Sequence, residues 1–337
     1  MLWNKLMAVT AMQTVLAWFL GLAFIPVLRK YKTGIYTPYI GDRYSADGSE
    51  PSFGGVAAWV VLMFGTLVTS AFCEHRLKMI LAAVFAGLIM LRGIVDDRMT
   101  DILHKPYGVK GVTGLGWCYA VCFGYMLLAK RMGFVGSAVI FPFGIGIRDL
   151  GIVFCPLTAA VMTAEIYCFK YMNRFGTDDE SCIGGLSWVV SFLLMSGVAV
   201  MGSAIKDESL LCFGASAAAA FGSACIWGLS PAKLKSGSSG GMLTGAAAAA
   251  VMGMAAFHQT AFWLITLAAG VDGFCTLIQY LHFMRTKQLL LKGSSLHEHL
   301  RAKKLGDYAV ILIFAGIALA GTAAGIAVTI YGQKKFF

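Results

Sequence analysis

The chain has 337 residues, of which 58% are hydrophobic and only 13% charged, with a mean hydropathy of +0.75 and a formal net charge of +10. A soluble domain carries about a quarter charged residues, so this composition excludes an ordinary water-soluble globule and points to lipid as the solvent. The positive charge does not indicate nucleic acid, because no basic stripe is interleaved with exposed aromatics.

Apolar runs lie at about 7–28, 54–73, 79–95, 114–129, 150–169, 183–203, 210–229, 241–257, 261–281 and 308–330. Most approach the roughly 20 residues that a helix needs to cross the hydrocarbon. The expected fold is therefore an all-α integral membrane protein of about ten transmembrane helices, with residues 1–337 forming a single polytopic domain. No charged leader with a small-residue cleavage site precedes the first run, which reads as a retained helix. The fourth and eighth runs are short, and Gly/Ala-rich stretches such as Gly245–Met252 suit close helix packing. Val135–Ile147 is interrupted by Pro142 and three glycines and reads as a hairpin or interfacial segment. The loops after odd-numbered runs hold 17 of the 27 Lys and Arg residues, the opposite side 9. The positive-inside rule places the richer loops in the cytoplasm and both termini outside. Nine cysteines without a CxxC pair or Cys/His metal spacing read as buried thiols.

The cytoplasmic loops collect the candidate chemistry. Asp96-Asp97 ends the third run, and adjacent carboxylates at a membrane boundary are costly unless they share a cation or proton. They suit Mg²⁺ coordination or activation of a nucleophile, and a polar cap on the helix is the bland alternative. The loop Pro231–Gly241 flanks glycines and serines with Lys233 and Lys235, a composition that can cradle phosphates but also serves as a linker. His297 and His299 in the last loop, taken alone, read as solvated residues. Inside the runs, Glu165 and Asp272 are the acidic residues, each a candidate functional group by default. A lipid phosphate attacking an activated sugar would need such a set, because the repulsion between anions must be screened.

In this order the motifs resemble those of the bacterial phospho-N-acetylmuramoyl-pentapeptide transferases, within the polyprenyl-phosphate N-acetylhexosamine-1-phosphate transferases. Pro51-Ser52-Phe53-Gly54-Gly55 stands for Pro-Thr-Met-Gly-Gly, and Gly93-Ile94-Val95-Asp96-Asp97 for Gly-Phe-Ile-Asp-Asp. Phe141-Pro142-Phe143 is similar to an extracytoplasmic Phe-Pro-Phe, and Trp227 through Lys233 to Trp-Asn-x-x-Pro-Ala-Lys. Gln279 and Phe283 match residues before the last loop, where Leu296-His297-Glu298-His299 takes the Ile-His-His-His slot. Asp272 falls where the family has a glutamate, and the resemblance implies a polar contact between helices there in preference to a proton relay.

The resemblance implies transfer of phospho-MurNAc-pentapeptide from its UDP carrier to undecaprenyl phosphate, giving lipid I and UMP for peptidoglycan synthesis. It implies a multi-pass protein of the bacterial cytoplasmic membrane, an active face toward the cytoplasm, Mg²⁺ as cofactor and a homodimer. Asp96 and Asp97 would be the catalytic pair, with Asp97 and Asp178 on the metal. Asn173, Asp178, Lys233, Gly237, Gly240, His297 and His299 would contact the lipid phosphate or the UDP-sugar.

The chain departs from the family at several of these positions. Ser238 stands where the family has a magnesium-binding aspartate, Thr100 where a lysine follows the aspartate pair, Gly228 for an asparagine and Glu298 for the middle histidine. The second aspartate of Asp-Gly-Leu-Asp-Gly is lost, with Gly184-Gly185-Leu186 remaining. Three readings follow: a divergent transferase; a pseudoenzyme that binds polyprenyl phosphate, a nucleotide sugar or a cell-envelope partner; and a transporter, whose inverted repeat and broken helices the pattern does not show.

Overall fold

The computed structural model describes residues 2–31, 51–103, 111–141, 146–173 and 183–336. Each of the ten apolar runs forms helix. Among the described residues seven helices are long and apolar enough to cross a membrane: α1 (Leu2–Lys30), α3 (Arg76–Asp97), α4 (Gly111–Arg131), α5 (Phe154–Met172), α6 (Leu186–Ala204), α7 (Glu208–Gly228) and α12 (Asp307–Phe336). The ninth run is broken into α9 (Gln259–Ile265) and α10 (Leu267–Thr286), bent by 72° at Thr266, and would make an eighth span if counted as one. The run 261–281 is thus not the straight helix its composition suggests. α2 (Gly54–Ser70) is a shorter apolar helix of 17 residues.

α8 (Gly237–Ala250) differs most from its expected span. Its 14 residues reach about 21 Å, short of the ~30 Å hydrocarbon, and beyond Ala250 the chain turns through a single 3₁₀ turn, Val251–Gly253. All its residues except Ser238 are buried, because a Gly/Ala helix has almost no side-chain thickness and lets α2, α3 and α5 approach its backbone. A Cβ added to Gly93 of α3 would stand 2.6 Å from Ser239 Cα, and one on Gly55 of α2 would stand 2.4 Å from the Ser239 carbonyl carbon. Both obstacles are backbone and cannot swing aside. Gly93→Ala is expected to push α3 from α8 and lower the thermal midpoint of the detergent-solubilised protein by several degrees, a cost of about 1–3 kcal/mol for overpacking. An unchanged midpoint would show that the contact is looser than these distances.

Contacts sort the chain into two ends. At one, Lys5 lies over the Phe72 ring, Lys78 pairs with Asp207 at 2.6 Å, and Gly332 near the far end of α12 approaches Ile140 and His258. Burial opposes ionisation of Asp207, but Lys78, Ser209 and the Leu210 amide outweigh it and hold the carboxyl below its usual range. This end also carries the antiparallel pair β1 (Ala138–Phe141) and β2 (Gly146–Asp149), the hairpin expected from Val135–Ile147. Pro142 and Phe143 lie outside the described residues. At the other end, the start of α2 meets the α7–α8 loop through Gly54 N to Lys235 O and Lys235 N to Pro51 O. The start of α12 joins it there, Asp307 accepting from Ser230.

A candidate active site at the end of the bundle

The aspartates close α3 with two different partners. An α-helix begins with backbone N–H groups that its own turns cannot satisfy, and the first residue before α8, Ser236, makes no side-chain cap. Asp97 supplies the acceptors from another helix: Oδ1 takes the Ser238 N–H at 2.6 Å and Oδ2 the Ser239 N–H at 2.9 Å. Both bonds are charge-assisted and placed on the positive end of the helix. Gly237 makes room, since its φ of +65° suits glycine and a Cβ there would meet Asp97 Oδ2 at 2.7 Å.

Asp96 faces cations. Its Oδ2 lies 2.7 Å from Lys170 Nζ and 3.1 Å from the Ser238 hydroxyl, and its Oδ1 lies 3.3 Å from Arg92 Nη1. Arg92 sits one turn before Asp96 on α3, where i and i+4 side chains share a face. Lys170 comes from the last turn of α5. The aspartate pair, the glycine-serine loop and the end of α5 are therefore one cluster assembled from distant segments. Arg92 and Lys170 were not among the candidate residues; the i,i+4 spacing of Arg92 and Asp96 inside an apolar run is the signal that carries Arg92.

Asn173 also lies in this cluster, as a tie. Its carbonyl oxygen accepts from the Ser187 and Ser236 hydroxyls at 2.6 and 2.7 Å, and its amide donates to Phe169 O. It joins the ends of α5 and α6 to the entry of α8. Gly240 lets Trp188 pass, a Cβ there meeting the indole at 3.1 Å. Lys233 is exposed, its ammonium 5.8 Å over the Trp227 ring. The Thr100 hydroxyl caps the backbone carbonyls of Asp96 and Asp97. Asp178, together with Asp179 and Glu180, lies outside the described residues.

The histidine segment corrects its sequence reading. His297 is not solvated; it is 1% exposed, with Nδ1 2.8 Å from Asp272 Oδ2 and its backbone N–H on Asp272 Oδ1 at 3.1 Å. Asp272 of α10 is wholly buried, so the intramembrane carboxylate docks α11 (Leu296–Ala302) on α10. This is the polar contact between elements expected of Asp272. Ser295 caps α11 by accepting the Glu298 N–H, and Glu298 Oε2 in turn accepts from the Ser294 N–H, one residue before the amide that a capping box uses. His299 is half-buried and accepts from the Lys292 N–H. Gln279 pins the preceding loop, accepting from the Leu290 and Leu291 amides and donating to the Gly293 carbonyl. Glu165 is buried on α5. The histidine segment and the aspartate pair occupy the same end of the bundle, reaching α5 by different faces: α10 packs Gly273 on Cys168, and α8 packs Gly241 on Phe169 and Lys170.

The described residues do not fit a magnesium site. No three His, Cys, Asp or Glu side chains among them converge. Both Asp97 oxygens hold backbone amides and Asp96 faces two cations, whereas Mg²⁺ demands oxygen ligands in near-octahedral array. Ser238 brings a neutral hydroxyl to the position where the family resemblance places a carboxylate. Glu298, the other carboxylate of the last loop, serves its own helix cap.

No family model matches the chain. Among curated proteins it is 25% identical over 311 residues to the phospho-N-acetylmuramoyl-pentapeptide-transferase of Carboxydothermus hydrogenoformans, covering 89% of this chain and 91% of that protein. The proteins of the same name from Thermoanaerobacter sp. strain X514 and Clostridioides difficile strain 630 are each 24% identical, over 92% and 88% of this chain and 94% and 88% of theirs. The chain is a divergent relative of that family. The similarity extends along nearly the whole chain, so it embraces the aspartate cluster and the histidine segment alike, as the ordered motifs implied.

Proposed function

We propose that the chain is a divergent phospho-sugar transferase that moves a sugar-1-phosphate from a UDP-sugar to undecaprenyl phosphate, as the names of its relatives suggest. The observation that carries this reading is the convergence of Asp96, Lys170, Arg92 and the α8 entry at one end of the bundle. An oxygen of the lipid phosphate attacks the phosphorus bonded to the sugar. The pyrophosphate bridge breaks, and UMP leaves with the bridging oxygen. Asp96 orients the acceptor phosphate, Lys170 and Arg92 screen its charge, and exposed Lys233 meets the nucleotide phosphates at the rim. Asn173, Gly237 and Gly240 shape the floor, while His297 fixes α11 and carries His299 with it. Asp178 remains a ligand candidate on the ground of resemblance alone. This end faces the cytoplasm, supported by the excess of Lys and Arg in the loops there; ten spans with both termini outside is the topology that accompanies it.

A second reading, binding of prenyl phosphate or nucleotide sugar without turnover, is favoured by one specific observation: Asp97 is fully engaged as the cap of α8. Reconstituted protein supplied with UDP-MurNAc-pentapeptide and undecaprenyl phosphate is expected to release UMP, and Asp96→Asn to cut the rate about 100-fold or more. Absence of UMP with a panel of UDP-sugars, alongside retained undecaprenyl phosphate binding, selects the second reading. Binding of neither ligand overturns both.

A further inference from the structure

We propose that this site neutralises phosphate charge with built-in cations, Lys170 and Arg92, in place of a divalent metal ion. Among the described residues two cations, Lys170 and Arg92, face the Asp96 carboxylate, and Asp97 beside it holds backbone amides. Lys170 Nζ and the Ser238 hydroxyl share one oxygen of Asp96, at 2.7 and 3.1 Å. The ammonium therefore stands beside the position at which the family resemblance expects a third carboxylate, and where a metal would be shared between two acidic residues it pairs directly with one. A neutral residue at 238 and a cation at 170 compensate one another: an aspartate at 238 would add one negative charge beside Asp96, and removing Lys170 as well would take away a positive one, the direction that recruits a hard cation.

Arg92 supplies the second observation. It is 7% exposed, and its Nε and Nη1 make no hydrogen bond in the structure even though Nη1 is at ion-pair distance from Asp96. A buried guanidinium with orphan donors has unused capacity for an anion, and guanidinium geometry matches phosphate oxygens. Its Nη2 lies against Gly114 of α4, where an added Cβ would meet it at 2.5 Å, so glycine there leaves the guanidinium its space. Lys170, 19% exposed, is the more accessible of the two and lies at the mouth of the cluster.

The ligand's identity rests on the phosphate-handling function proposed above; the absence of a divalent site does not, and the two are measured separately. Detergent-solubilised protein titrated with Mn²⁺ by electron paramagnetic resonance is expected to show no stoichiometric site. Lys170→Gln/Ser238→Asp, with three carboxylates and one fewer cation, is expected to gain one Mn²⁺ per chain. Undecaprenyl phosphate binding is expected to survive EDTA unchanged and to weaken roughly tenfold or more in Lys170→Gln, because a charge-assisted contact is lost. A stoichiometric Mn²⁺ site in the unaltered protein that Asp96→Asn removes would overturn the proposal, as would lipid-phosphate binding abolished by EDTA. A double variant that melts like the parent and still ignores Mn²⁺ would also overturn it. If the protein releases no UMP and binds no lipid phosphate, the transferase reading fails while the Mn²⁺ titrations still decide this one.

Discussion

His297→Ala is expected to be among the most destabilising single changes in the chain, although the residue sits in a short helix at the end of the bundle. Truncation removes the ring from Asp272 Oδ2 and leaves a wholly buried carboxylate with the His297 backbone N–H on its other oxygen. Removing one partner of a buried hydrogen bond leaves the other group desolvated and unpaired, a cost of about 1–3 kcal/mol and more where that group is a carboxylate. Asp272→Ala removes both acceptors at once, so α11 loses its backbone anchor together with its ring contact. The two positions form a unit, so Asp272→Ala/His297→Ala should cost distinctly less than the sum of the single variants. Thermal melting of the three variants in one detergent measures this. Strict additivity would show that the contact contributes little. A His297→Ala protein that melts normally but no longer binds a UDP-sugar would return the histidine to the ligand-contact role that resemblance implies.

Residue pattern alone located the helical runs and the hairpin, because uniform apolarity and a proline-glycine interruption are local properties. It did not reveal that the α8 helix runs for only 14 residues or that α9 and α10 are bent at Thr266. Both segments are continuously apolar, and the features that shorten or break them are contacts: α8 is enclosed by three helices, and Gly321 and Gly325 of α12 press on the backbone of the α9–α10 corner. The aspartate pair was legible because two carboxylates at the end of an apolar run are costly without partners. Their division of labour was not, since it depends on α8 beginning 140 residues later with its amides aimed at Asp97. The histidines looked solvated because their neighbours in sequence are polar; the partner that buries His297 is 25 residues upstream inside a helix. Lys170 escaped notice for a related reason. A lysine at the end of a span usually marks only the interface, and its meaning here comes from Asp96 on another helix.

Asp97→Ala is expected to unfasten the start of α8, whose own N-cap residue, Ser236, makes no side-chain cap. Two charge-assisted bonds to backbone amides disappear, and Ser238 gains freedom together with Gly237, whose φ is already left-handed. The cap and the two bonds are one contact, and losing hydrogen bonds to a charged group costs about 1.5–3 kcal/mol. The effect is also local. Hydrogen exchange should quicken at Ser238 to Gly241 well before the buried alanines at 246–250 respond. The Asn173 bond to Ser236 ties the same loop, which makes the entry of α8 the point where damage to the cap would reach Lys170 and Asp96. A fall in UMP release caused this way should track the exchange rate of those amides across variants, including Gly237→Ala, which crowds Asp97 without removing its charge. If Asp97→Ala instead left melting and exchange untouched and abolished only UMP release, Asp97 would be a reacting group and the α8 cap would be held by something other than its carboxylate.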